Sequence, residues 1–321
     1  MRSSYRSVVE AAMILAQDGI VGIPTETVYG LAANALSPRA VAKIFEAKQR
    51  PFFDPLIVHI SELGQLADLV REVPEQALIL AKAFWPGPLT LVLPKKDIVP
   101  DLVTAGAPTV AVRVPAHPVA QELLQACGFP IAAPSANLFG RVSPTCSRDV
   151  LDQLEGRIDG VLEGGDCEVG VESTIIDLTG PQARMLRPGG VSKEEIEALI
   201  GPLAILEGSR GEDGEAMPAP GTCKRHYSPD TPIQFAADAE VREDSRVGLI
   251  AFGKGKGRRR GFVKVVNLSE SGDLHEAAAH LYSALRQMDL CGLDYVVVEK
   301  VPDEGLGLAI NDRLRRAAAR D

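Results

Sequence analysis

No glycine-rich phosphate loop of the form G-x-x-x-x-G-K-[ST] occurs in these 321 residues, and neither G-x-G-x-x-G nor G-x-S-x-G is present. A P-loop, a fingerprinted dinucleotide site and a hydrolase nucleophile elbow are therefore not expected. Cysteine is sparse: Cys127, Cys146, Cys167, Cys223 and Cys291 are odd in number and never spaced as C-x-x-C. That argues against a disulfide framework or a zinc site and fits a reduced, cytoplasmic setting. No apolar run approaches the roughly 20 residues needed to cross a bilayer, so no membrane contact is expected. The opening stretch MRSSYRSVVEAAMILAQDG lacks a continuous apolar core and a small-residue cleavage site, so it does not read as a signal peptide. Basic residues (34) are outnumbered by acidic ones (43), for a net charge of −9. A broad nucleic-acid surface is not expected, although a local basic pocket remains open.

What is present is a dense run of α/β signals. Ser7-x-x-Glu10 reads as a capping box opening a helix that closes near Gly19, and IVGI (20–23) as a buried strand. Ser37-Pro38 starts a second helix, LIVHI (56–60) is a strand, and Ser61 is placed to cap the segment after it. EQALILAKAF (75–84) reads as a helix stopped by Trp85-Pro86-Gly87-Pro88. Short β-rich runs come next, namely LTLVLP, TVAVRVP, FPIAAP, DGVLEG, STIIDL and ARMLR, and then a second capping box, Ser192-x-x-Glu195. Interleaved strands and helices of this kind predict an α/β domain around one twisted mixed sheet over residues 1–205.

The composition changes after that point. EGSRGEDGEAMPAPG (207–221) is rich in Gly, Pro and acids and reads as a linker, so 206–230 is assigned as linker or lid. Beyond it, RVGLIAFG, FVKVVNL and YVVVEKV read as strands, with helices near 273–289 and 308–319. Residues 231–321 are expected to form a small doubly wound, Rossmann-like α/β domain.

The polar residues Thr25, Glu26 and Thr27 sit in IPTETVYGL, where the IVGI strand has just stopped at Pro24. Neither a core nor an ordinary turn needs them. Lys48 and Arg50 close the second helix, which a helix dipole alone would explain, yet the loop returns directly to the strand ending in His59. Arg113 lies inside an apolar strand and needs an anionic partner, either a side chain or a ligand. The loop APSANLFGRVSPT (133–145) offers Ser135, Asn137, Ser143 and Thr145 after a strand, where open α/β sheets place ligands. Glu172, Ser173 and Thr174 open STIIDL, and Arg187 lies just beyond a strand. KGKGRRRG (254–261) has no Ser or Thr after its lysines and reads as a solvated loop.

Taken in order, PTETVYGL, KQRP…PLIVH, FWPGPLT, VAVRVP, PSAN…SPT, ESTIID and LRPGG resemble the YrdC-like family of threonylcarbamoyl-AMP synthases over about residues 6–200. HYSP (226–229) and GLGLAINDRLRRA (305–317) resemble the long form, which has an extra C-terminal domain. The resemblance implies a nucleotidyltransferase that joins L-threonine, bicarbonate and ATP into threonylcarbamoyl-AMP and pyrophosphate, with an open twisted α/β sheet enclosing a large, positively charged cavity. A partner transferase system would then modify tRNA beside the anticodon, with any direct tRNA contact weak.

By motif, the resemblance assigns threonine binding to Thr27, His59, Arg113, the Ala133 backbone and Ser173. ATP binding falls to Arg50, Thr109, Ser135, Ser143, Arg187 and Tyr227, and Lys48 joins Arg50 as an electrostatic group facing phosphate. Asp54 stands where the family usually has Asn, beside the phosphates, where it would repel ATP or help hold magnesium. No protein nucleophile is required, and Mg2+ would ride on the ATP phosphates. A non-enzymatic RNA-binding module and a carbamoyl-transfer domain are the alternatives. The acidic charge counts against the first, and the lack of zinc-finger cysteines and an acylphosphatase-like region against the second.

Overall fold

The computed structural model describes residues 5–205, 226–237, 244–255 and 261–319, which form two sheets. Most of the linker (206–225) and part of the basic stretch (256–260) lie outside the described residues. The first sheet holds β1 (Tyr5–Arg6), β2 (Val21–Ile23), β3 (Gly30–Asn34), β4 (Ile57–His59), β5 (Leu89–Pro94), β6 (Thr109–Arg113), β7 (Ile131–Ala132), β8 (Gly160–Leu162), β9 (Thr174–Asp177), β10 (Arg184–Arg187) and β11 (Ala204–Ile205). Their spatial order is β1-β8-β2-β3-β7-β4-β6-β5-β9-β10-β11. β4 is parallel to β6 and antiparallel to β7, while β5 is antiparallel to β6 and parallel to β9. The sheet is therefore mixed, as the alternating pattern predicts.

The helices of this region are α1 (Val8–Ala16), α2 (Pro38–Lys48), α3 (Leu66–Leu69), α4 (Glu75–Phe84), α5 (Asp101–Thr104), α6 (Pro118–Cys127), α7 (Ser147–Leu154) and α8 (Lys193–Ile200). Both capping boxes form: Ser7 and Glu10 exchange side-chain and backbone bonds, as do Ser192 and Glu195. Each satisfies N-terminal amides that a helix leaves without partners. Ser61 does not cap. Its N–H donates to Gln65 Oε1 ahead of a single 3-10 turn, Leu63–Gln65.

β12 (Ile233–Phe235), β13 (Val247–Ala251), β14 (Lys264–Asn267) and β15 (Tyr295–Val298) make the second sheet, all parallel, in the order β12-β15-β13-β14. Strand alternation sends Ile250, Val296 and Val298 into one apolar cluster with α9 (Leu274–Asp289) and α10 (Gly307–Ala318). Val247, Leu249, Ala251, Tyr295 and Val297 form another cluster on the opposite face. Both described helices thus pack on one face, whereas double winding would place helices on both.

The same cluster takes in Val28, Val142 and Val171 from the first region, so the two sheets share apolar core. Gly170 makes this close approach feasible. Its φ is +73°, and a Cβ there would lie 2.4 Å from the Ala278 carbonyl oxygen and from Ala279 Cα on α9. Arg286 of α9 fastens the junction by donating to the Ser143 carbonyl and Thr145 Oγ1 and by pairing with Asp149 at 2.6 Å.

Candidate active site

The connection between antiparallel β2 and β3 carries the Thr-Glu-Thr segment. Thr25 Oγ1 donates to the Val28 carbonyl at 2.6 Å and accepts from the Thr27 and Val28 amides, both at 3.2 Å. This local turn fixes the loop and leaves Thr27, 1% exposed, on the wall of a cavity.

His59 and Arg113 face each other in register at the ends of parallel β4 and β6. Arg113 is fixed on three sides. Nε donates to the Gly87 carbonyl at 3.0 Å, Nη1 to Thr27 Oγ1 at 3.0 Å, and Nη2 pairs with Glu26 Oε1 at 2.6 Å. Glu26 is thus the anionic partner a buried arginine needs, and it pre-orients the fork beside Thr27. His59 has its pKa pushed down to about 3, by burial first and then by Arg113, so it is neutral near pH 7.

Ser173 and Arg187 form another part of the wall. Arg187 donates through Nη2 to the Ser173 carbonyl at 2.9 Å and to its hydroxyl at 3.2 Å. The Pro-Gly-Gly turn after Arg187 lies directly on this segment. A Cβ at Gly189 would come within 2.3 Å of the Glu172 carbonyl oxygen, so the approach demands glycine. Burial lowers the Arg187 pKa from its ordinary value.

Arg50 also lines the cavity, held by the Asp54 and Pro55 carbonyls at 3.2 and 2.8 Å and by the Asp54 carboxylate at 2.9 Å. Asp54 is fully buried, and its charge is matched by Arg50. Lys48 departs from the electrostatic role expected of it. Its Nζ turns onto the Ser135 carbonyl, at 2.6 Å, and the Asn137 carbonyl, anchoring the loop after β7. Burial, then Arg50, depresses its pKa, and two carbonyls satisfy it where a phosphate was expected.

Tyr227 and His226, near the end of the linker, close the wall, with ring centres 4.1 Å apart. Tyr227 adopts φ +60°, a left-handed conformation unusual for a non-glycine residue. Its buried Oη has no hydrogen-bond partner among the described residues and is poised to meet a ligand.

Thr27, Arg50, His59, Arg113, Ala133, Ser135, Ser173, Arg187 and Tyr227 therefore line one cavity. Four expected residues do not line it. Lys48 and Asp54 act from behind, and Ser143 donates to Glu172 Oε1 at 2.8 Å. Thr109 starts β6, at the opposite end of the strand from Arg113. Glu172 lines the cavity although its motif alone gave it no role. Burial would raise its pKa, but Arg313 and then Arg187 hold it down at about 2. Three arginines and one carboxylate thus face a cavity enclosing about 50 Å³, which is room for a few waters.

Among the described residues, no group of three or more His, Cys, Asp or Glu is placed to hold a metal ion, and no helix is long and apolar enough to cross a membrane. Residues 13–189 match the model of the Sua5/YciO/YrdC family, described as "Telomere recombination". Residues 191–319 match "Threonylcarbamoyl-AMP synthase, C-terminal domain". A Pyrococcus abyssi protein named threonylcarbamoyl-AMP synthase is 44% identical over 317 residues, covering 96% of this chain and 93% of its own. A Bacillus subtilis protein of the same name is 44% identical over 324 residues, covering 97% and 92%. The crystal structure of P. abyssi Sua5 complexed with L-threonine matches with a TM-score of 0.88 and 43% identity, over 97% of this chain and 94% of that one.

Proposed function

The chain belongs to the Sua5/YciO/YrdC family, and from that membership and its cavity we propose that it makes threonylcarbamoyl-AMP from L-threonine, bicarbonate and ATP. The observation that carries the reading is the convergence of Thr27, His59, Arg113 and Ser173 with Arg50 and Arg187 on one cavity. Arg113, already oriented by Glu26 and Gly87, receives the threonine carboxylate beside Thr27. Neutral His59 adds a hydrogen-bonding wall without adding charge.

The threonine amine takes up carboxylate from bicarbonate, with loss of water, to give a carbamate. A carbamate oxygen then attacks the α-phosphorus of ATP, the bond to the β-phosphate oxygen breaks, and pyrophosphate leaves. No protein nucleophile takes part. Arg50 and Arg187 offset the charge that builds on the phosphates, and the fixed pocket holds the reacting groups together. Glu172 is taken up by Ser143, Tyr282 and Arg313, so Mg2+ would be held by the triphosphate oxygens. Tyr227 contacts the nucleotide, and the segment around it closes over the labile mixed anhydride to keep water away.

The product would pass, in the cytoplasm, to a transferase that places the threonylcarbamoyl group on adenosine beside the anticodon of tRNA. Mass spectrometry of the product formed from ATP, L-threonine and bicarbonate tests this. Pyrophosphate release that does not depend on both threonine and bicarbonate would overturn it.

A further inference from the structure

Arg313 lies on α10 in the GLGLAINDRLRRA motif, and it is the largest fully buried side chain among the described residues. Its Nε donates to Glu172 Oε2 at 2.8 Å, and its Nη1 to the Pro188 carbonyl at 3.0 Å and Asp312 at 2.7 Å. Its guanidinium carbon stands 5.2 Å from the centre of the Tyr227 ring, within cation–π range. Tyr282 of α9 donates to both Glu172 oxygens, at 3.0 and 2.8 Å, and stacks on Tyr227 with ring centres 5.5 Å apart. Two side chains of the second region thus grip one cavity carboxylate and one cavity tyrosine of the site.

An ordinary clamp between domains would need no partner on the cavity wall. Glu172 stands on that wall with Arg187, where the triphosphate is read to bind. A bare carboxylate there would repel the phosphates, and the nearest compensating charge from outside the wall is Arg313. We propose that Arg313 is a positioning residue of the nucleotide site, cancelling the charge of Glu172 and bracing the Tyr227 ring. The second domain is then part of the ATP pocket and no mere appendage. This inference rests on the reading of the cavity as an ATP site.

The test measures ATP and L-threonine affinity by calorimetry, together with melting temperature, on the full chain. The variants are Arg313→Met, Arg313→Lys and Arg313→Met combined with Glu172→Gln. Arg313→Met should weaken ATP binding at least tenfold, about 1.4 kcal/mol, and threonine binding less than threefold. The double variant carries neither charge and should bind ATP at least threefold tighter than Arg313→Met. No such recovery, or equal loss of both ligands in step with melting temperature, overturns the proposal. If Arg313→Met does not fold, Arg313→Lys decides, because it keeps the charge: ATP affinity within threefold supports the proposal and a tenfold loss overturns it. An unchanged protein that binds threonine but not ATP refutes the ATP reading instead, an outcome the variants cannot imitate.

Discussion

Exchanging Arg113 for lysine keeps the positive charge but removes the planar fork. In the structure that fork points three ways, to the Gly87 carbonyl, Glu26 and Thr27, at 3.0, 2.6 and 3.0 Å. An ammonium group can satisfy Glu26 or a substrate carboxylate, but it cannot present two parallel donors while held on the far side. Losing one charge-assisted bidentate contact should cost about 2–4 kcal/mol. Threonine binding then weakens roughly 30- to 1,000-fold. Arg113→Ala is a poorer probe, because it leaves Glu26 buried without its cation and destabilises the fold by about 3–5 kcal/mol. The assay is calorimetric titration of L-threonine without nucleotide, with a thermal melt to confirm folding. A folded Arg113→Lys protein that binds threonine within twofold of the unchanged chain would refute the pocket assignment.

Asp54→Asn should tighten ATP binding about threefold and steepen its salt dependence. The carboxylate that offsets Arg50 disappears, while the carbonyl contacts of Arg50 at Asp54 and Pro55 remain. An unchanged Michaelis constant for ATP would show that the Asp54 charge is not felt at the phosphates. Tyr227→Phe removes a hydroxyl with no hydrogen-bond partner among the described residues, so ATP affinity should fall several-fold while the melting temperature holds. A fall in melting temperature with ATP affinity intact would contradict this. His59 and His226 are both held near a pKa of 3, chiefly by burial, against an ordinary value of 6.5. The unfolded chain therefore takes up their protons first, and stability drops as pH falls from 6.5 towards 3, by about 1.4 kcal/mol per pH unit for each. Denaturant titrations of His226→Gln across that range should show a shallower slope, and an unaltered slope would remove His226 from the account.

Local hydrogen bonding made much of the fold legible. Capping boxes and the Ser37-Pro38 start are settled within four residues, so α1, α2 and α8 begin where the sequence places them. β3, Gly-Leu-Ala-Ala-Asn, has no strand-like alternation because all but Asn34 are buried, and its pairing with β2 and β7 makes it a strand. The site was legible as a set of polar residues at strand ends, but the aim of each side chain was not. Lys48 and Arg50 both read as phosphate ligands, yet burial turns one onto carbonyls 87 and 89 residues away in sequence. Arg313 lies mid-helix in the GLGLAINDRLRRA motif, which gave it no role of its own. Its partner is 141 residues distant, and no local pattern announces it.

Gly170 also bears on how the chain comes apart. With the α9 backbone against this residue, and Val28, Val142 and Val171 sharing the apolar cluster of α9 and α10, neither sheet can melt without stripping cover from the other. The protein should unfold as one cooperative unit, with amide protons of β4 and β13 exchanging at similar free energies. A side chain at position 170 would wedge this joint and divide the transition in two, so one missing methyl group keeps two sheets within a single folding event.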